Sequence, residues 1–280
     1  MVCEKNLALA KEMVDGADAV IVYAGAGMSA SGGAPTFRGD KGFWKAFPPY
    51  ERLGMNFQQM ASPQTFDSNL DLALGFYGYR LNLYNNLVPH AGYDALKQLF
   101  DAKPYGGLFV TSNVDGHALR AGIDRVHEEH GSINHWQCTN LMCSKANGLM
   151  MPPTIEVDEL TMRANVSCEH YCGCGKPLRP NILMFWDTYF DEVREVAQSK
   201  VADQFIYSLL DSRCIPRVAV IEIGAGDAIA TMRAKASHTA SQFHTKVIRI
   251  NMEPEPKNKW GGAIHLQGDS MDLLLRLIGK

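Results

Sequence analysis

The run Val20-Ile-Val-Tyr-Ala24, broken at once by Gly25-Ala-Gly27, limits this chain more than any other stretch. Five consecutive apolar residues with no polar alternation predict a strand buried on both faces, as in a parallel sheet. Two glycines directly after such a strand let the backbone turn and pass close to a pyrophosphate, whose charge the next N–H groups and a helix N-terminus stabilise. The stretch from Gly25 through Ser29, Gly32, Pro35, Phe37 and Arg38 to Gly39 is therefore read as a nucleotide-phosphate cradle. The next glycine after Gly27 is Gly32, so the spacing departs from that of the dinucleotide dehydrogenases.

The same arrangement recurs along the chain. Residues 107–112 form a second apolar run ending at Asn113 and Asp115, and Val126 leads through Glu128 and Glu129 to His130 and Gly131. Residues 217–226 repeat strand then glycine, and 246–251 end on Asn251. Helical spacing joins Leu7, Ala10, Met13 and Val14, and further helices are expected over 70–87, 90–100, 194–211 and 273–278. Short apolar strands ending in Gly, Asn or Asp and separated by helices describe an α/β, Rossmann-like parallel sheet with its ligand at the strand carboxyl ends. At 280 residues the chain exceeds a usual single core. The expected division is a large domain of 1–39, 90–135 and 178–280, with a small domain from a helical insertion (40–89) and a cysteine-rich insertion (136–177). Phe43, Trp44 and Phe47 either form a mobile lid over the cradle or pack as ordinary core.

Twenty-seven basic against 30 acidic residues leave a formal charge of -3, which argues against a dedicated nucleic-acid binder. No apolar run follows a basic start and none has the length to span a bilayer, so a cytosolic or nuclear protein without membrane partners is expected. Five of the seven cysteines fall between Cys138 and Cys174, which in a reducing compartment suggests metal ligation before disulfides. Cys3 and Cys214 stand apart as ordinary thiols.

Taken in order, the Gly25–Ser29 and Pro35-Thr-Phe37-Arg38-Gly39 segments, Thr111-Ser-Asn113-Val-Asp115-Gly116, His130-Gly131-Ser132, the paired cysteines and Leu178-Arg179-Pro180 resemble the sirtuin family. The resemblance runs from Gly25 to about Leu275. It implies an NAD-dependent protein-lysine deacylase that releases nicotinamide and acyl-ADP-ribose, with NAD as cofactor and acylated protein lysines as partners. By the same resemblance His130 is the general base, a task suited to an imidazole titrating near neutral pH. Asn113 and Asp115 orient ribose, nicotinamide and a water. Cofactor contacts are implied at Gly25, Ala26, Gly27, Ser29, Pro35, Phe37, Arg38, Ser112, Gly224, Ala225, Gly226, Asn251 and Asp269. Ser112 replaces the family's glutamine, and no leucine-histidine pair follows Gly116. Gly224-Ala225-Gly226 stands where Gly-Thr-Ser is common, which removes two hydroxyls.

The resemblance also implies a structural zinc, since four thiolates complete a tetrahedron and leave no open position. Cys138, Cys143 and Cys174 are three ligands; the fourth is Cys172 or Cys168. Tyr77-x-x-Arg80 is similar to the pair by which some sirtuins grip succinyl- or malonyl-lysine, and a guanidinium beside a phenol makes a good carboxylate clamp. The alternative is a Tyr and Arg on a helix surface. Phe185 falls at the acyl channel, followed by Trp186 where glycine is usual, a residue able to crowd that channel or the edge where a substrate peptide adds as a strand. An NAD hydrolase or ADP-ribosyltransferase on the same fold is the rival activity.

Overall fold

The computed structural model describes residues 3–36, 39–226, 230–254 and 262–279. Its elements, in chain order, are α1 (Glu4–Asp15), β1 (Ala19–Ala24), α2 (Ala26–Ala30), α3 (Gly39–Ala46), α4 (Pro48–Arg52), α5 (Phe57–Met60), α6 (Pro63–Ser68), α7 (Leu70–Asn86), α8 (Ala91–Asp101), β2 (Gly107–Thr111) and α9 (His117–Arg120). They continue with β3 (Val126–Glu128), β4 (Gly131–Cys138), α10 (Leu141–Asn147), β5 (Val157–Asp158), β6 (Arg163–Ala164) and β7 (Leu178–Ile182). The chain closes with α11 (Val193–Leu210), β8 (Val218–Ile223), α12 (Thr231–Gln242), β9 (Val247–Asn251), β10 (Ile264–Gln267) and α13 (Ser270–Leu277).

Six strands form one parallel sheet in the order β10-β9-β8-β1-β2-β3. The direction of winding reverses between β1 and β8, and in open α/β sheets ligands bind in the crevice at such a reversal. Pairing of Ala24 with both Thr111 and Ile223 sets three strand ends level, so Gly25, Ser112 and Gly224 emerge side by side. Along β1 successive side chains alternate between faces, as the pleat requires. Val20, Val22 and Ala24 pack under Leu7, Val14, Leu96, Phe100 and Leu273, on the side of α1, α8 and α13. Ala19, Ile21 and Tyr23 pack under Ala202, Leu209, Met232 and Ala236, on the side of α11 and α12. A strand covered on both faces has no use for polar alternation, which is why β1 reads as a continuous apolar run.

A third core lies off this sheet. It joins Phe43, Phe47, Tyr50, Phe66, Phe76 and Tyr77 to Val114, Ile133, Trp136, Ile155 and Met184. Phe43 and Phe47 are buried; Phe43 stacks on Tyr50 at 5.6 Å and meets the edge of Phe76 at 6.0 Å. Of the two readings, lid or core, Phe43 and Phe47 follow the second and pack as core. Val114 belongs to this core while its neighbours Asn113 and Asp115 face the site, so the aromatic cluster sets the position of that loop.

An ion pair of Arg194 with Glu128 and a hydrogen bond of His127 Nε2 with Glu195 (2.7 Å) hold α11 against β3. In the sheet interior Glu222 takes both Arg233 (3.1 Å) and Arg249 (2.8 Å), so a buried charge is matched across β8, α12 and β9. Among the described residues no helix is long and apolar enough to cross a membrane.

Candidate active site and metal centre

The crevice is closed at its floor by two loops in backbone contact. Gly25 N–H donates to Ile223 O (2.9 Å) and Gly27 N–H to Gly224 O (3.0 Å). A Cβ on Gly27 would lie 2.5 Å from Gly224 Cα. Both glycines admit the loop after β8, and their N–H groups are already committed. The carbonyl of Ala225 is fixed in turn by Asn251 Nδ2 (2.8 Å) and Arg233 Nη2 (2.9 Å). Gly226 is different: among the described residues a Cβ there meets nothing within 4 Å. Phe37 and Arg38 lie outside the described residues, and Pro35 is the last of the implied loop contacts before them.

Next to this floor sits a buried polar hub. Ser29 Oγ donates to Asp115 Oδ2 (2.6 Å) and meets Asn113 Nδ2 (2.9 Å) and Tyr93 Oη (3.0 Å). Asn113 Nδ2 also donates to Gly25 O (3.1 Å), and the Asn113 N–H to Thr111 Oγ1 (3.0 Å). Both amide hydrogens are thus used, leaving Asn113 Oδ1 as the atom with capacity for a ligand. Asp115 Oδ1 accepts from the His117 N–H at the start of α9 (2.9 Å). Asp269, implied as a cofactor contact, caps α13 through Oδ1 and accepts Ser31 Oγ at Oδ2 (2.7 Å).

His130 stands where the chain leaves the parallel sheet. Gly131 follows with φ of 75°, and a Cβ there would lie 2.1 Å from Asn181 O, so only glycine lets β4 swing back against β7. Burial pushes the His130 imidazole below its ordinary pKa, and Lys235 adds to this; Glu129 and a hydrogen bond with the Ser112 backbone partly offset it. The ring is therefore neutral at pH 7 and able to accept a proton. Its contact with Ser112 places it one residue from Asn113.

Off the parallel sheet, Cys138, Cys143, Cys172 and Cys174 bring their sulfurs within 4.8 Å of one another. Cys138 and Cys174 are 3.5 Å apart, Cys143 and Cys172 3.6 Å. Four thiolates around zinc at about 2.3 Å would be spaced by roughly 3.8 Å, so the set fits a closed tetrahedral ion. Cys172, not Cys168, completes it. N–H groups support the sulfurs: Asn140 N–H points to Cys138 Sγ (3.4 Å), while Asn140 Oδ1 caps α10 and thereby sets Cys143 on its first turn.

Residues 25–208 match the family model described as Sir2 family. The chain belongs to the Sir2 family. An NAD-dependent protein deacylase of Mycolicibacterium paratuberculosis is 34% identical over 190 residues, covering 67% of this chain and 73% of that protein. An NAD-dependent protein deacylase of Mycobacterium tuberculosis is 30% identical over 240 residues, covering 85% and 87%. Among solved structures, a Sir2 homolog–NAD complex superimposes with a TM-score of 0.68 at 22% identity, covering 99% of this chain and 92% of the other, a likeness of fold.

Tyr77 and Arg80 are buried on α7 and are not a surface pair. The Arg80 guanidinium lies 5.1–5.5 Å from the ring centres of Phe76, Tyr77 and Tyr84, and its Nε donates to Tyr84 Oη (3.3 Å). Tyr77 Oη is buried with no hydrogen-bond partner among the described residues, and burial raises its pKa to about 12 despite the nearby Arg80. Phe185 packs edge-on against Phe57 at 5.8 Å, its N–H on Ala61 O.

Two residues at this site, one in the hub and one beside it, escaped the sequence reading. Tyr93 shares the inner face of α8 with Leu96 and Phe100, so its hydroxyl was hidden in an apolar stripe. His90 caps that helix through Nδ1 (3.0 Å) and contacts Met28 O through Nε2 (2.7 Å), tying α8 to α2.

Proposed function

We propose that this chain is an NAD-dependent protein-lysine deacylase. The observation that carries the proposal is the neutral His130 ring, bonded to the Ser112 backbone one residue from Asn113, at the carboxyl ends of a sheet wound in the dinucleotide-binding order. The hydroxyl, amide and carboxylate groups at those strand ends suit ribose hydroxyls and a carboxamide. NAD, when bound, supplies a ribose carbon that loses nicotinamide and receives the acyl oxygen. His130 holds an unprotonated ring nitrogen for a ribose hydroxyl proton, and the Ser29 hub keeps Asn113 and Asp115 in one orientation. The four cysteines would hold a structural zinc that crosslinks the segments on either side of α10, with no open position for chemistry.

For the acyl group, the unpartnered Tyr77 hydroxyl beside the buried Arg80 favours an acidic chain such as succinyl or malonyl. The test follows nicotinamide and the acylated ADP-ribose on acetyl-, succinyl- and long-chain acyl-lysine peptides. Release of nicotinamide that ignores every peptide would sink the deacylase assignment in favour of NAD hydrolysis. Arg80→Met is expected to weaken succinyl turnover by roughly tenfold or more relative to acetyl, the loss of one charge-assisted contact of about 1.5–3 kcal/mol. Equal loss on both peptides would remove the clamp.

A further inference from the structure

Trp186 combines size, exposure and a backbone conformation that ought not to go together. Its φ is 55°, in the left-handed region, and 66% of its surface is exposed. A bulky residue there is strained, and such strain persists only where the surroundings impose it.

The surroundings here are specific. The Asp187 carboxylate accepts the N–H groups of Met184 (3.2 Å) and Tyr189 (2.9 Å). It also forms a two-armed ion pair with Arg179, whose Nη2 donates to Ile182 O (2.8 Å). Both partners of that pair are fully buried. The chain is thus pinned before and after Trp186, and its left-handed turn has no freedom to relax. The same loop starts with Leu183 N–H on His130 O (3.0 Å), so it departs from the residue proposed as base. The indole leans on Phe185, ring centres 5.9 Å apart, and otherwise faces outward. Glycine at this position would relieve the strain and leave no buried cavity, so packing of the free protein does not account for tryptophan.

We propose that Trp186 determines peptide specificity, its indole face receiving a basic side chain adjacent to the acyl-lysine of the substrate. This rests on the deacylase function proposed above. An exposed indole is the best aromatic receptor for a cation. The neighbouring Asp187 is compensated by Arg179, so a guanidinium or ammonium group approaching the ring meets no uncompensated positive charge from that pair.

The test measures kcat/KM on matched acetyl-lysine peptides carrying Arg, Gly or Glu beside the acyl-lysine. The wild-type protein should prefer Arg over Glu by roughly two- to fivefold, the range of an exposed cation–π contact. Trp186→Gly should erase that preference through KM and not kcat, with a melting temperature equal to or above wild type; Trp186→Phe should keep part of the preference. An unchanged Arg-to-Glu ratio in Trp186→Gly overturns the inference. If the wild-type protein turns over no peptide, the deacylase function fails separately. The inference is then decided by tryptophan fluorescence: quenching by the Arg peptide in wild type and not in Trp186→Gly supports it, and no quenching overturns it.

Discussion

Gly27→Ala separates a glycine kept for a ligand from a glycine kept for packing. The added methyl would sit 2.5 Å from Gly224 Cα and 3.1 Å from Gly224 O. Carbon atoms prefer about 3.5–4.0 Å, so the two loops must part by on the order of 1 Å. Both sides of the clash are backbone, and no rotamer change can absorb it. Overpacking of this kind costs about 1–3 kcal/mol. The Gly27 N–H bond to Gly224 O, 3.0 Å long, is lost with the separation and adds about 1 kcal/mol. A total of about 2–4 kcal/mol lowers Tm by about 5–15 °C at roughly 2–4 °C per kcal/mol. The assay is thermal unfolding without NAD, with Gly226→Ala as control, because a Cβ at Gly226 meets nothing within 4 Å among the described residues. The control should shift stability by less than about 0.5 kcal/mol. Wild-type Tm in Gly27→Ala together with lost NAD binding would refute the packing account and return this glycine to the ligand.

Metal analysis of the purified protein should find one zinc per chain, lost in Cys172→Ser and retained in Cys168→Ser, because only Cys172 joins the sulfur cluster. Tyr93→Phe keeps the ring but removes the hydroxyl 3.0 Å from Ser29 Oγ; it should cost about 1 kcal/mol in urea unfolding and raise KM for NAD more than KM for peptide. The stability curve should bend with pH. Burial lowers the pKa of His90, His130 and His135, so between their folded values and about 6.5 the unfolded chain binds more protons. Their contribution is complete above pH of about 6.5 and falls as pH drops below it, while burial of Glu128, which raises its pKa, opposes the trend. Urea midpoints measured from neutral to mildly acid pH should therefore decline, and the acid limb of kcat/KM should lie below the ordinary histidine range; a rising midpoint would contradict the three shifts.

The central strands were legible because β1, β2, β8 and β9 are buried at every position and therefore mostly apolar, with Glu222 and Arg249 admitted only as a matched pair. β10 was not. It is a four-residue edge strand that buries only Ile264 and Leu266, too short an alternation to stand out. α12 was missed because its inner face holds Met232, Ala236 and Ala240 together with the buried Arg233, whose charge breaks the apolar stripe. The β4–β7 pair joins residues far apart in sequence and shifts register between Ser132 and Trp136, so no local pattern announces it. Nor could spacing choose between Cys168 and Cys172. A turn closed by Cys172 N–H on Lys176 O and Gly175 N–H on Cys172 O, each 2.8 Å, brings Cys172 and Cys174 into the same sulfur cluster, and that turn exists only in three dimensions.

Ser29 shows why site residues were named more readily than their tasks. A serine hydroxyl has one hydrogen to donate and two lone pairs. Here the hydrogen goes to Asp115, and Asn113 Nδ2 occupies one lone pair. Tyr93 must then be the donor in the third contact, because the only Ser29 hydrogen is spent. With its capacity filled, Ser29 cannot also bind a phosphate or ribose oxygen without surrendering one of these partners. The resemblance placed Ser29 at the cofactor; the hydrogen bonds make it the residue that orients Asn113 and Asp115. Gly27 and Asn251 follow the same logic, since one closes the loops and the other holds the Ala225 carbonyl between them. The strand ends are therefore preorganised by bonds within the protein, and among the described residues Asn113 Oδ1, Gly226 and His130 keep capacity that a ligand could use.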